Sequence, residues 1–155
     1  MNLHPSLRNG LPITLLLIFL ALITTELHAQ PVLRCELTYA GTTHLFEAHV
    51  KHDAESIAGM DTGGAYTTEA LDIGGRFRVK ALLLGTTAKL SMIKIYIYYE
   101  TDREPVLLQE VKYTAPFAYA SAAQQAPYSL TGLNYLYSPP LGRELQYGCA
   151  LVEAE

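Results

Sequence analysis

Residues Ile73 to Glu100 alternate apolar and polar side chains twice over, and no other stretch restricts the fold as tightly. In the first arm Ile73, Phe77, Val79, Ala81 and Leu83 share one parity, while Arg76, Arg78 and Lys80 fall on the other. Gly85-Thr86-Thr87-Ala88-Lys89 separates the arms, and Ile93, Ile95, Ile97 and Tyr99 then share a parity in the second. A period of two, rich in β-branched and aromatic residues and broken by a Gly-containing turn, predicts an antiparallel hairpin with one buried face. Pairing Leu84 with Leu90 sets Phe77 against Ile97 and Val79 against Ile95 inside, with Gly75 facing Tyr99. The same register places Arg78 opposite Tyr96, Arg76 opposite Tyr98 and Lys80 near Lys94 outside. Arg76, Arg78, Tyr96 and Tyr98 therefore form a cation–π surface and are the candidate binding residues.

The flanking sequence adds strands to this hairpin. Val32 to Tyr39 places Leu33, Cys35, Leu37 and Tyr39 on one face, and Ala40-Gly41 turns the chain into His44 to Val50, setting Cys35 opposite Phe46. Pro105 to Tyr113 alternates less cleanly, because Glu110 and Lys112 interrupt the pattern, so its far end is expected to be exposed or bulged. The last strand, Arg143 to Val152, carries Leu145, Tyr147, Cys149 and Leu151 on one face. Lys51 to Asp72 and Thr114 to Gly142 read as long connections, the second rich in Tyr, Ala and Pro, and a loop of that kind can cover a sheet face. The expected fold is all-β, with about six antiparallel strands in a sandwich or partly open barrel and no long amphipathic helix.

Met1 to Ala29 has the three-part layout of a secretory signal peptide: a short segment with Arg8, a charge-free apolar run centred on residues 14–23, and a small residue at 29. The apolar run is shorter than the ~20 residues that a spanning helix needs. The domain is thus expected to occupy residues 30–155, in the periplasm or outside the cell, with no stable membrane insertion once the leader is removed. In that setting an even pair of cysteines on the apolar faces of the first and last strands predicts a Cys35–Cys149 disulfide. Leader removal takes away Arg8 and Glu26, one charge of each sign, so the mature balance stays at the −4 of the whole chain. A balance of that sign, with only 17% charged residues, argues against nucleic acid as the main partner.

Catalytic signals are sparse. Asp61-Thr62-Gly63 spells the tripeptide of aspartic proteases, with an apolar-Gly element at Leu82 to Gly85, but the residues before Asp61 make a poor strand and too little chain separates the two motifs for a flap. A Gly-rich turn begun by an Asx residue accounts for the tripeptide. His44, His49 and His52 lie near Glu47, Asp53 and Glu55, yet alternation puts His44 and His49 on opposite faces of one strand, so no metal site is expected. No nucleophile elbow, phosphate loop or dinucleotide fingerprint occurs. The sequence thus points to a non-enzymatic exported β-domain that needs no cofactor and binds or scaffolds an envelope protein or ligand. Two alternatives stand beside it: a hydrolase using Asp61 or a metal at His49 and His52, and an envelope structural subunit that completes another protein's sheet. The C-terminal run Tyr137-Ser-Pro-Pro-Leu-Gly-Arg-Glu-Leu-Gln-Tyr-Gly-Cys149, a Pro-Pro segment leading into a Cys-bearing strand, resembles small exported proteins of Gram-negative bacteria. That resemblance implies a periplasmic setting and brings no activity, cofactor or site residue with it.

Overall fold

A computed structural model describes residues 30–50, 63–120, 127–139 and 142–153, and these form an antiparallel β-sandwich. One sheet has the order β2-β1-β9-β8, built from β1 (Pro31–Tyr39), β2 (Thr42–His49), β8 (Asn134–Ser138) and β9 (Arg143–Glu153). We call it the terminal sheet, because it holds both ends of the domain. The central sheet contains β3 (Gly64–Thr67), β4 (Leu71–Ile73), β5 (Phe77–Gly85), β6 (Leu90–Tyr99) and β7 (Val106–Thr114). Its order is β3-β5-β6-β7, with β4 also paired to β5. The expected all-β sandwich is what the chain adopts.

Alternation decides what is buried. Leu33, Cys35 and Leu37 of β1 meet Phe46 and Ala48 of β2 on one side and Tyr147, Cys149 and Leu151 of β9 on the other. These side chains pack in one core with Phe77, Val79, Ala81 and Leu83 of β5 and Ile93, Ile95, Ile97 and Tyr99 of β6. Phe77 joins the sheets at one end, edge-on to Tyr39 (centroids 5.3 Å apart) and to Tyr99 (5.7 Å). A buried polar link crosses elsewhere: the Tyr147 hydroxyl on β9 donates to Gln109 Oε1 on β7 at 2.6 Å. A buried phenol must find such a partner.

Cys35 and Cys149 are bonded and face each other directly across β1 and β9, with Cα atoms 4.0 Å apart. The N–H of Cys149 donates to Thr131 Oγ1 at 2.8 Å, and its carbonyl accepts from the N–H of Leu130 at 2.9 Å. The backbone of Cys149 therefore points away from β1. The cysteines occupy a non-hydrogen-bonded pair, the place in an antiparallel ladder where side chains approach most closely. The Cys35–Phe46 pairing across the Ala40-Gly41 turn is also as expected, with Ala40 at φ 50° and Gly41 at φ 81°.

Other expectations need correction. The described residues hold nine strands where six were expected, because short strands arise inside both long connections: β3 and β4 in the first, β8 in the second. Ile73 does not begin the central hairpin but ends β4, and Gly74 and Gly75, both at positive φ, turn the chain into β5. The central register also slips by two residues. Gly85 pairs with Leu90 and Leu84 with Met92, leaving Ser91 as an extra residue whose hydroxyl donates to the Leu84 carbonyl at 3.0 Å. Thr86 and Lys89 close the short loop by bonding each other's backbone. Gly85 sits at φ 146° with the Lys89 carbonyl against the place a Cβ would take, so only Gly fits. A two-residue slip keeps every side chain on its face and changes only its partner. In β7 the bulge lies at Leu108, while Glu110 and Lys112 beyond it are exposed as expected, and Gln109, Val111 and Tyr113 face Ile97, Ile95 and Ile93.

Two predictions follow from the core. The disulfide closes a loop with a sequence separation of 114. Replacing both cysteines with Ala should lower unfolding free energy by roughly 4–5 kcal/mol on the loop-entropy estimate, read from denaturant midpoints against the oxidised protein. Burial pushes the Tyr147 phenol up to about 12, helped by Tyr113. A raised value means the fold holds the neutral phenol, so this stabilisation is complete below the unfolded value near 10 and is lost as pH rises through 12. Tyr147→Phe should remove roughly 2 kcal/mol of the alkaline loss between those limits, measured as stability against pH.

Candidate functional site

The outer face of the central sheet is built by the polar parity of β5, β6 and β7. Across the three strands Arg78 pairs with Tyr98, which faces Leu107; Lys80 pairs with Tyr96, which faces Glu110; and Leu82 pairs with Lys94, which faces Lys112. Three of the four sequence-designated residues, Arg78, Tyr96 and Tyr98, are therefore on one face. Arg76 is not: it is exposed in the β4–β5 turn, where its carbonyl accepts from the N–H of Glu100 at 2.8 Å.

The register slip also changes which cation meets which ring. Tyr96 and Tyr98 stack on each other, 6.5 Å between centroids and 20° between planes. The cation over them is Lys80, with Nζ 5.7 Å from the Tyr96 centroid and 5.9 Å from that of Tyr98. Lys94 Nζ lies 5.9 Å from Tyr96 on its other flank. Arg78 is instead paired with Glu100, Nε to Oε1 at 2.7 Å. Lys94 donates to Glu110 at 2.6 Å, and that bond holds its ammonium above the ordinary lysine range against the opposing effect of desolvation. Among the described residues Lys80 and Lys112 have no carboxylate within ion-pair distance. The face thus carries a tyrosine pair with one uncompensated ammonium above it and another to one side. Alternation already places Lys80 and Lys94 outside; the bulge at Ser91 sets which ring they meet, and the one at Leu108 turns Lys112 to the same face.

The Tyr-rich connection leaves the central sheet at Ala115, whose N–H donates to the Ser91 carbonyl, and from Ala120 its described residues follow the terminal sheet instead. Ala120 N–H donates to the Leu151 carbonyl, Leu130 N–H to that of Cys149, and β8 pairs with β9, so the segment lies along the terminal sheet. There it makes a second polar–aromatic face. The Tyr128 ring lies flat against Gly148, and its hydroxyl donates to Glu36 Oε2 at 3.0 Å on the neighbouring strand. Tyr137 donates to Glu144 Oε2 at 2.8 Å, and Gln146 donates to the other oxygen at 2.8 Å. Gln146 first and Tyr137 second hold the Glu144 carboxyl below its ordinary range, and Glu36 raises the Tyr128 phenol. Arg34 is spent on Glu47 at 2.7 Å.

His49 is exposed at the end of β2, while His52 and Asp61 lie outside the described residues. Among the described residues no group of three or more His, Cys, Asp or Glu could hold a metal ion. What fold and surface define together is a disulfide-joined β-sandwich with two unlike outer faces, one of Tyr and Lys, the other of Tyr and Glu. No protein-family profile, no curated protein and no solved structure matches the chain.

Gly148 is the position that lets the connection seat. A methyl group there would run into the Tyr128 ring. Gly148→Ala should cost roughly 1–3 kcal/mol in stability, and Tyr128→Ala in the same chain should return part of the loss, a coupling that a double-mutant cycle of denaturant melts would measure.

Proposed function

We propose that the protein is an exported, non-enzymatic β-domain that works by binding or scaffolding, with the outer face of the central sheet as its contact surface. The observation that carries this reading is Lys80, whose ammonium lies over two stacked tyrosines without a carboxylate partner, on the outer face of a sheet that the Tyr-rich connection leaves at Ala115. Half-buried Tyr beside a basic side chain offers contact area at low conformational cost together with a charge that a partner can neutralise. The disulfide favours an oxidising compartment, and the N-terminal apolar run supplies a route to one. No helix among the described residues is long and apolar enough to cross a membrane. Periplasm or extracellular space is therefore the proposed location, and an anionic or polar envelope component the proposed partner.

The test is capture from an envelope extract with immobilised protein. Lys80→Ala and Tyr98→Ala, alone and together, should reduce recovery of bound material at least several-fold while the melting temperature stays near that of the unmodified protein. Equal recovery by all forms would remove this face from the account.

A further inference from the structure

The two outer faces carry opposite uncompensated charges. On the central sheet Arg78 and Lys94 are neutralised by Glu100 and Glu110, which leaves Lys80 and Lys112 against one carboxylate, Asp72 on edge strand β4, which accepts from the N–H of Gly75, so the face stays net positive. On the terminal sheet Glu47 is neutralised by Arg34, which leaves Glu36 and Glu144, each bonded only to neutral Tyr or Gln groups. The spacings also agree. Strand separation and rise place the Lys80 and Lys112 backbones roughly 12 Å apart, and those of Glu36 and Glu144 roughly 14 Å apart. Each face has tyrosines beside its charges: Tyr96 and Tyr98 on one, Tyr135 and Tyr137, 50% and 58% exposed, on the other.

From this complementarity we infer that the partner of the central sheet's outer face is the terminal sheet's outer face of a second copy of this chain. The inference rests on the contact surface proposed above and names its occupant. The surfaces differ and sit on opposite sides of one sandwich, so the contact is head-to-tail and leaves a free face at each end. A contact of that kind propagates as an open stack and does not close as a dimer. Four strands of about eight residues offer roughly 500 Å² a side, about 1,000 Å² in all, at the lower limit for a specific interface. Association is therefore dependent on concentration and sensitive to salt. It makes the protein a structural subunit through its faces, not through the sheet edge that the sequence suggested.

Sedimentation velocity of the purified protein tests this without any substitution. At ~10 mM salt, where the Debye length is ~30 Å, the mean mass should climb with concentration to twice the monomer and beyond. At ~1 M salt, where the Debye length is ~3 Å, it should return to the monomer. Two variants then separate the faces. Lys80→Gln with Lys112→Gln disables one face, and Glu36→Gln with Glu144→Gln disables the other while keeping acceptors for Tyr128 and Tyr137. Each alone should be monomeric at low salt, and an equimolar mixture should form a species of two chains and no larger. A monomeric unmodified protein under all conditions, or association by either variant alone, overturns the inference. If the protein does not self-associate but capture from extract still depends on Lys80 and Tyr98, the contact surface stands and its occupant is another molecule.

Discussion

The pairing of β1 with β9 is the constraint on which the rest of the structure depends. Nine consecutive residue pairs, from Pro31–Glu153 to Tyr39–Leu145, bring the first and last strands of the domain together, and the disulfide sits at the centre of that ladder. Once β1 and β9 are neighbours, β2 must flank one and β8 the other. The core face of the terminal sheet is then fixed by parity, and the central sheet has only one apolar surface to close on. Phe77 between Tyr39 and Tyr99, and Tyr147 bonded to Gln109, set how the two layers meet.

Much of this was legible in the sequence, because burial in a sheet is written at a period of two. The core parity of β1, β2, β5, β6 and β9 follows from alternation alone, and the two cysteines lie on that parity, which made their pairing readable. What alternation does not encode is register. A slip of two residues leaves the pattern unchanged, so it could not tell Arg78 opposite Tyr96 from Arg78 opposite Tyr98. The difference was made by one extra residue at Ser91 and by a glycine, Gly85, whose φ of 146° leaves no room for a side chain. The short strands were hidden for another reason. β3, β4 and β8 are edge segments of three to five residues with few buried positions, too short to show a period.

The same limit of parity decides how the candidate residues are arranged. Parity put Arg78, Tyr96 and Tyr98 outside. Register replaced Arg76 with Lys80 as the cation over the rings, and ion pairing removed Arg78 from consideration by satisfying it with Glu100. A glutamate's reach to an arginine on the next strand depends on a backbone position just past the end of β6, which no local pattern reveals. The Tyr content of the second connection looked like a lid, and its described part instead lies along β9, seated by a glycine whose missing side chain leaves room for Tyr128.

The topology also dictates an order of assembly. The central sheet is made of contacts between near neighbours in the chain, since β4, β5, β6 and β7 follow one another as hairpins. The terminal sheet needs both ends, and its β1–β9 ladder cannot begin until the last strand exists. In a chain delivered N-terminus first, β1 and β2 wait as a lone hairpin while the central sheet forms, and loop closure of the non-local ladder comes last. Cys35 and Cys149, separated by 114 in sequence, are therefore brought together by the last pairing to form. The disulfide, at the middle of that ladder, can close only when β9 docks, so the covalent staple and the last non-local pairing form together.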